Sequence, residues 1–318
     1  MQRYIVRRLL TAIPVILLVS MLTFVGQKLL PGDPLLDIIG PDPSTSLTKA
    51  DLQALRHEYG LDQPIVVQYG KYMERLAHGD FGKSFRTHQS VVSTIKQRLG
   101  VTLKLSLITF AIHTMLALFL GMIAAVYAGT LIDLAATSWA VLAAATPGFW
   151  LAILLIVVFS VKLNWLPASG WVDPFAHPVD GIKHLVMPVF TLGILGGATV
   201  MRQTRSALLE VLRQDYVTTA RSKGLAERVV ILRHALKNAM LPVITLLGLS
   251  LAFLISGSVL IERVFAIPGV GRLALDSTTN HDYPVVEGIV LMSATAIVLA
   301  NLLTDVLYAW LDPRIRFS

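Results

Sequence analysis

The chain has 318 residues, of which 54% are hydrophobic and only 15% charged, with a net charge of +7 and no cysteine. A soluble domain carries about 25% charged residues, so this composition, with a mean hydropathy of +0.67, excludes an ordinary soluble enzyme and points to a membrane domain of several helices. The missing cysteines exclude disulfide frameworks, thiolate zinc sites and thiol catalysis. The basic residues flank apolar runs without interleaved aromatics, which marks membrane topology rather than nucleic-acid binding.

In chain order, Arg3, Arg7 and Arg8 precede an apolar run over 9–30. It is longer than the ~7–15 residue core of a signal peptide and no small-residue cleavage site follows it, so it reads as an uncleaved first span. Further runs of roughly 20 residues, the length that crosses a ~30 Å hydrocarbon layer as helix, fall at 105–127, 139–161, 185–201, 241–261 and 289–311. The runs are continuous, without the period-two alternation of barrel strands, so each is predicted to be a helix. The fold class is an all-α polytopic membrane protein with six transmembrane helices.

Between the first two spans lies a predicted extracytoplasmic helical insertion, 31–93. It is dense in turn signals (Pro31-Gly32-Asp33-Pro34, then Gly40-Pro41-Asp42-Pro43) with helices predicted over 46–59 and 68–77. It is too small for an enzyme domain. Orientation follows the basic residues. The N-terminus, a 202–237 loop with eight basic residues against three acids, and a tail with Arg314 and Arg316 share one side, the cytoplasm. The 128–138 turn, with Asp133 as its one charge, is the exception.

Catalytic and metal sites are not predicted. No phosphate-binding G-x-x-x-x-G-K-[ST] occurs, and no two histidines sit at i,i+4 in one helix. His113, inside the second span, reads as a proton relay or, preferably, as a satisfied histidine packed on a neighbouring helix. Asn301, Asp305 and Tyr308 share a helical face. An intramembrane acid is a functional candidate by default, and the two readings are a coupling-ion site of a proton-coupled secondary carrier or a polar packing face near the cytoplasmic end. The packing face is preferred. Neither paired carboxylates nor a Ser/His set appears for an intramembrane hydrolase. Pro147 and Pro188 offer kinks that suit a moving helix and also occur in static spans.

The 202–237 loop carries more than charge. Asp215 reads as the N-cap of a short helix, Gly224 as its left-handed C′ residue, and Arg221 and Lys223 match the negative end of its dipole. Two turns of helix are marginal alone in water, so something must hold this one. A second helix is predicted over 226–238, with Arg228, Arg233 and Lys237 reaching toward headgroups, before Pro242 opens the fifth span in its first turn.

Residues 216–224, followed by Arg233-His234-Ala235-Leu236-Lys237-Asn238 and Leu241-Pro242, resemble the EAA loop of ABC importer permeases. More closely, the chain resembles the first permease subunit of the dipeptide/oligopeptide/nickel uptake family. Pro31-Gly32-Asp33-Pro34, Phe149-Trp150-Leu151, Leu166-Pro167-Ala168-Ser169-Gly170, 262–271 and Leu311-Asp312-Pro313-Arg314 extend the resemblance over nearly the whole chain. It departs where Thr218-Thr219-Ala220 stand for Glu-Ala-Ala, and in a longer step from Gly224 to Leu241 than sugar importers have.

The resemblance implies a type I ABC importer transmembrane fold in the bacterial inner membrane, with both termini cytoplasmic. It divides the chain into an N-terminal span (1–30), the insertion (31–93) and the transmembrane domain (94–311) with a coupling loop at 202–240. It implies a second homologous permease, two ATPase subunits that bind the ATP, an extracytoplasmic solute-binding protein and surrounding lipid as partners, and no cofactor of the chain's own. Asp215, Tyr216, Ala220, Arg221 and Gly224 would dock on an ATPase. Phe265, Pro268, Gly269 and Gly271 would form an outer gate that meets the binding protein. Dipeptides, oligopeptides, glutathione-like molecules and chelated nickel all remain open as cargo.

Overall fold

A computed structural model describes residues 2–29, 53–54, 56–57, 62–255 and 259–311. The Pro31-Gly32-Asp33-Pro34 segment and the tail from Asp312 lie outside these, and of the helix predicted over 46–59 only 53–54 and 56–57 are described, both pairs helical. The described residues form helices α1 (Gln2–Leu29), α2 (Ile65–Ala77), α3 (Val91–Val126), α4 (Leu131–Ala145) and α5 (Gly148–Leu155), the last continued by a π-helical stretch, Ile156–Lys162. Then come α6 (Pro178–Leu212), α7 (Asp215–Ser222), α8 (Glu227–Val229) with a π-helical stretch Val230–Ala235, α9 (Leu236–Ile255), α10 (Val259–Val264), α11 (Val270–Thr279) and α12 (Tyr283–Leu311).

Four helical segments are long and apolar enough to cross a membrane: Val6–Leu29, Val91–Val126, Glu227–Val264 and Tyr283–Tyr308. Two bent pairs bring the number to six if each is one span, Leu131–Ala145 with Gly148–Lys162 and Pro178–Ile194 with Gly196–Leu212. The six predicted runs all fall on these segments, but the helices outrun them. At 36 residues, α3 is about 54 Å long at ~1.5 Å per residue, so it projects well beyond a ~30 Å hydrocarbon layer.

The predicted third span is not one helix. Its two halves meet at 101°. Thr146, before proline, takes an extended backbone (φ −85°, ψ 123°), and Pro147 caps the next helix, as the clash between a proline ring and the preceding residue requires. In α6 the 46° bend lies between Ile194 and Gly196, beyond Pro188. There Gly193, Gly196 and Gly197 face His113 of α3.

The core is built mainly where α3 packs along α6. A Cβ on Gly121 would lie 2.7 Å from the Met201 carbonyl oxygen and from Thr204 Cβ. Only glycine lets the two backbones come this close, the small-residue packing that associates helices in lipid. One apolar cluster joins Leu105, Leu155, Met187, Leu254 and Phe265, and a second, rich in alanine, joins Ala117, Ala124, Ala140, Ala198 and Met201. Large side chains such as Leu22, Met115 and Leu142 remain exposed, as a surface solvated by hydrocarbon allows.

Candidate functional site

At one end of the bundle, α7 stands on the surface as a separate two-turn helix. Its N-cap is Gln214, with extended backbone, and no side chain makes a capping hydrogen bond. Asp215, predicted as the cap, is instead the first helical residue and is exposed. Its charge complements the helix dipole from the first turn without accepting the orphan N–H groups. At the other end Gly224 has φ +76° and donates its N–H to the Arg221 carbonyl at 2.9 Å. A Cβ there would meet nothing within 4 Å, so glycine is required by conformation, as at a left-handed C′ position, and not by space.

Three ties hold this otherwise marginal helix. Val217 and Ala220 are buried against Val230, with Val211 and Leu212 packed beside them. Asn238 Nδ2 donates to the Tyr216 hydroxyl at 2.8 Å. Arg221 makes two hydrogen bonds to Glu227, at 3.1 and 2.6 Å, across the Gly224 corner. Two predicted docking residues also hold α7 to the chain itself. Ala220 faces the chain's own body, because Val217 and Ala220, three apart, are the apolar stripe of α7. Arg221 pairs with Glu227 within the loop while its side chain stays 42% exposed. The outward face carries Asp215, Thr218, Thr219, Ser222, Lys223 and Leu225, with Tyr216 42% exposed.

The helix predicted over 226–238 is not a separate interfacial element. Helical structure runs from Glu227 to Ile255 through the π-helical stretch, and Pro242 sits inside α9, where its missing N–H leaves the Asn238 carbonyl without the usual partner. The exceptional acid of the 128–138 turn also finds its reason. Asp133, 6% exposed, accepts two hydrogen bonds from Arg205 of α6 at 2.5 and 2.7 Å, and a third from the Gly129 N–H at 2.9 Å. The turn carries no basic residue because α6 supplies one.

At the opposite end, the segment from Phe265 to Gly271 folds over α10 and α3. Phe265 and Ile267 are buried in the main core cluster, and Gly269 and Gly271 are buried as well; Pro268 is half-buried. Phe265, Gly269 and Gly271 thus build the inside of this cap, with Pro268 at its half-buried edge. What organises them is Glu262, fully buried. Its carboxylate accepts hydrogen bonds from Thr102 Oγ1 and from the Arg272 N–H, both at 2.9 Å. Thr102 Oγ1 in turn accepts the Val270 N–H at 2.8 Å. A Cβ on Gly269 would fall 2.4 Å from that carboxylate, and one on Gly271 would fall 2.9 Å from the Val259 backbone. Gly269 is there because the acid occupies its side-chain space, and Gly271 because the Val259 backbone and the acid together do. Gly170 donates to the Phe265 carbonyl at 2.8 Å, binding the 166–170 segment to the same cap. Sequence reading missed Glu262. The usable signal was an acid at the end of an apolar run, six residues before the Pro268-Gly269 turn.

Two intramembrane candidates resolve as packing. Asp305 is paired with Arg8 of α1 at 3.1 Å, and the Tyr308 and Thr245 hydroxyls touch, so this face joins α12 to α1 and α9. His113 is 3% exposed and its Nδ1 lies 3.1 Å from the Thr109 carbonyl. Its Nε2 lacks a hydrogen-bond partner, so it is packed as expected but only half satisfied. Among the described residues no group of three His, Asp or Glu is placed to hold a metal ion.

Comparison with known proteins agrees with this architecture. Residues 117–317 match the family model "Binding-protein-dependent transport system inner membrane component", and residues 1–106 match the N-terminal model of such membrane components. A Brucella abortus protein named for a peptide transport system permease is 42% identical over 318 residues, covering all of both chains. The oligopeptide transport system permease protein AppB of Bacillus subtilis and the glutathione transport system permease protein GsiC of Escherichia coli are each 39% identical, again covering all of both chains. In three dimensions the chain resembles a crystal structure of an amino acid ABC transporter with histidines. The TM-score is 0.52 at 16% identity, over 69% of this chain and 94% of that one, a likeness of fold: the type I ABC importer transmembrane fold. By the family models and full-length relatives together, the chain belongs to the binding-protein-dependent transport system inner membrane component family.

Proposed function

We propose that this chain is one of two permease subunits of an ATP-driven importer for peptides, and that α7 is the helix on which an ATPase subunit docks. The observation that carries the reading is α7 itself, a short helix presented at the surface yet tied by three separate contacts to α6, α8 and α9. A lever must be accessible to a partner and stiff toward its own body. Motion imposed on α7 reaches α6 through Val211 and Leu212, and α9 through Val230 and Asn238, so that the spans rock as bodies between two arrangements. The chain offers no nucleotide loop of its own, which suits a transport subunit whose ATP is bound elsewhere and which needs no cofactor. With Thr218 at the usual acidic position, Asp215 and the hydroxyls of Thr218, Thr219 and Ser222 supply the polar docking contacts.

In this reading the α7 end and both termini face the cytoplasm, the end holding α2 and the Glu262 cap faces outward toward a solute-binding protein, and a second, homologous permease completes the pathway. Peptides are the cargo class by analogy with relatives named for peptide, oligopeptide and glutathione transport. The test is reconstitution in vesicles with the ATPase, second permease and binding protein, measuring uptake of a labelled dipeptide, a labelled oligopeptide and labelled glutathione. Uptake of at least one that requires ATP and ignores a proton gradient is expected. Uptake that follows the proton gradient and ignores ATP would favour the secondary carrier instead.

A further inference from the structure

We propose that His113 is the catch of a hinge in α6: its unpaired ring nitrogen accepts a backbone N–H that α6 releases when it bends further at Gly196. Packing accounts for where His113 sits and leaves this nitrogen unused. The Thr109 carbonyl, 3.1 Å from Nδ1, can only accept, so Nδ1 carries the proton and Nε2 presents a bare lone pair. That nitrogen belongs to a residue 3% exposed and meets no donor. Thr109 Oγ1, one turn away on the same face, is buried and unpartnered as well. Thr191, Thr204 and Thr304, also buried in helices, return their hydroxyls to the carbonyl four residues back at 2.8 Å; Thr109 does not. An unmade buried hydrogen bond is destabilising, and two on one turn mark a place built for a partner.

The partner is α6. The imidazole faces the stretch where Gly193, Gly196 and Gly197 leave the α6 backbone bare and where α6 bends by 46° between Ile194 and Gly196. A Cβ on Gly196 would lie 3.6 Å from Nε2, and one on Gly193 or Gly197 would lie 3.4 or 3.9 Å from His113 Cβ. These are ordinary contact distances, unlike the 2.7 Å at Gly121. None of the three glycines has a positive φ. Alanine would therefore fit this arrangement in both space and conformation, and it is the better helix former. What glycine adds is freedom to take another backbone geometry, and here that freedom lies opposite the unpaired nitrogen. A helix that opens at a bend loses an i→i−4 hydrogen bond, leaving one N–H and one C=O. The α3 turn holds the complement of both: the Nε2 lone pair for the N–H and the Thr109 hydroxyl for the C=O. Bonds lost within α6 in the more bent arrangement are thus replaced from α3, which gives the hinge two defined positions.

The catch rests on the importer reading, in which the spans rock between two arrangements, and its test keeps the two apart. In this cysteine-free chain, Lys183→Cys and Ser206→Cys place spin labels at exposed positions on the two arms of α6. Their separation is measured by pulsed electron spin resonance in the complete transporter with cysteine-free partner subunits, resting and trapped with ADP and vanadate. ATP-driven peptide uptake is measured on the same preparation. With His113 in place two populations are expected, the more bent one about 3 Å shorter for a bend increased by about 20°, at ~1.5 Å per residue. His113→Leu is expected to reduce the shorter population at least fivefold and Gly196→Ala at least threefold. His113→Gln, which keeps an acceptor, is expected to retain at least half of it. Because His113→Leu deletes an unpaired polar atom, it is expected to unfold at no lower temperature than the wild type. ATP-driven uptake with a single α6 separation in both states would overturn the catch and leave the importer; two separations with uptake that ignores ATP would do the reverse. Equal populations with His113 and with Leu would also overturn the catch. So would a lower unfolding temperature for His113→Leu, since Nε2 would then already have a partner.

Discussion

The two ends of the bundle are built on opposite principles. At the Glu262 end, a buried carboxylate ties Thr102 to the Arg272 backbone, and glycines at 269 and 271 admit it into contact with the chain. At the α7 end, a helix of eight residues stays on the surface, held by one small apolar patch and two exposed polar ties. The first end spends its glycines on close approach, the second on a corner. A cap must be rigid to close a path, and its residues turn inward. A lever must be presented, so most of its side chains turn outward while its backbone is fixed.

Breaking the Glu262 end should cost most. Glu262→Ala strands the Thr102 hydroxyl and the Arg272 N–H in a buried site, at about 1–3 kcal/mol for each unpaired group. A large drop in thermal unfolding temperature in detergent is expected, with Glu262→Gln recovering part of it. Gly269→Ala drives a Cβ into the same carboxylate and should destabilise by about 2 kcal/mol or more, within the range of severe core strain. A loss below about 0.5 kcal/mol for both changes would contradict a rigid, acid-locked cap.

Asp133→Ala comes next. It leaves Arg205 facing a partly buried site without its carboxylate, and removing one partner of such a pair costs up to about 3 kcal/mol, discounted here because Arg205 is 28% exposed. Smaller again is Gly224→Val. A β-branched residue at φ +76° is strained by about 1–2 kcal/mol, too little to prevent membrane insertion. In the reconstituted transporter ATP hydrolysis should persist while coupled uptake falls at least tenfold. Smallest is Arg221→Ala. The Arg221–Glu227 pair is about half exposed, and such pairs are worth ~0–1 kcal/mol, so unfolding should barely move while docking affinity changes. Equal effects on stability and docking would mean that the pair is an internal strut and not part of the presented face.

Much of the fold was legible because hydrocarbon imposes one rule on every span. All six apolar runs lie on helical segments, and the Gly224 corner followed from local backbone chemistry. The rest depended on information that hydropathy does not carry. A window average has a length but no direction, so the 101° turn at Thr146–Pro147 was hidden inside an unbroken apolar run. The continuous helix through Val230–Ala235 was hidden by charges that suggested an interfacial segment. The inward side of Ala220 is legible only in its spacing from Val217, not in its size. Glu262 could not be assigned a partner from sequence, since Thr102 is far away in the chain, and the Asp133–Arg205 pair has the same cause.

The claim that α7 is a docking lever can be tested on one atom. Because the chain has no cysteine, Ser222→Cys places a single thiol on the outward face of α7, and Lys83→Cys places one at the other end of the bundle. Labelling of each by a membrane-impermeant maleimide is measured in detergent, with and without the ATPase subunits. The account predicts that Ser222→Cys is labelled in the permease alone and protected when the ATPase subunits bind, while Lys83→Cys labels equally in both. Equal labelling of Ser222→Cys in the two states, with the complex intact, would contradict it.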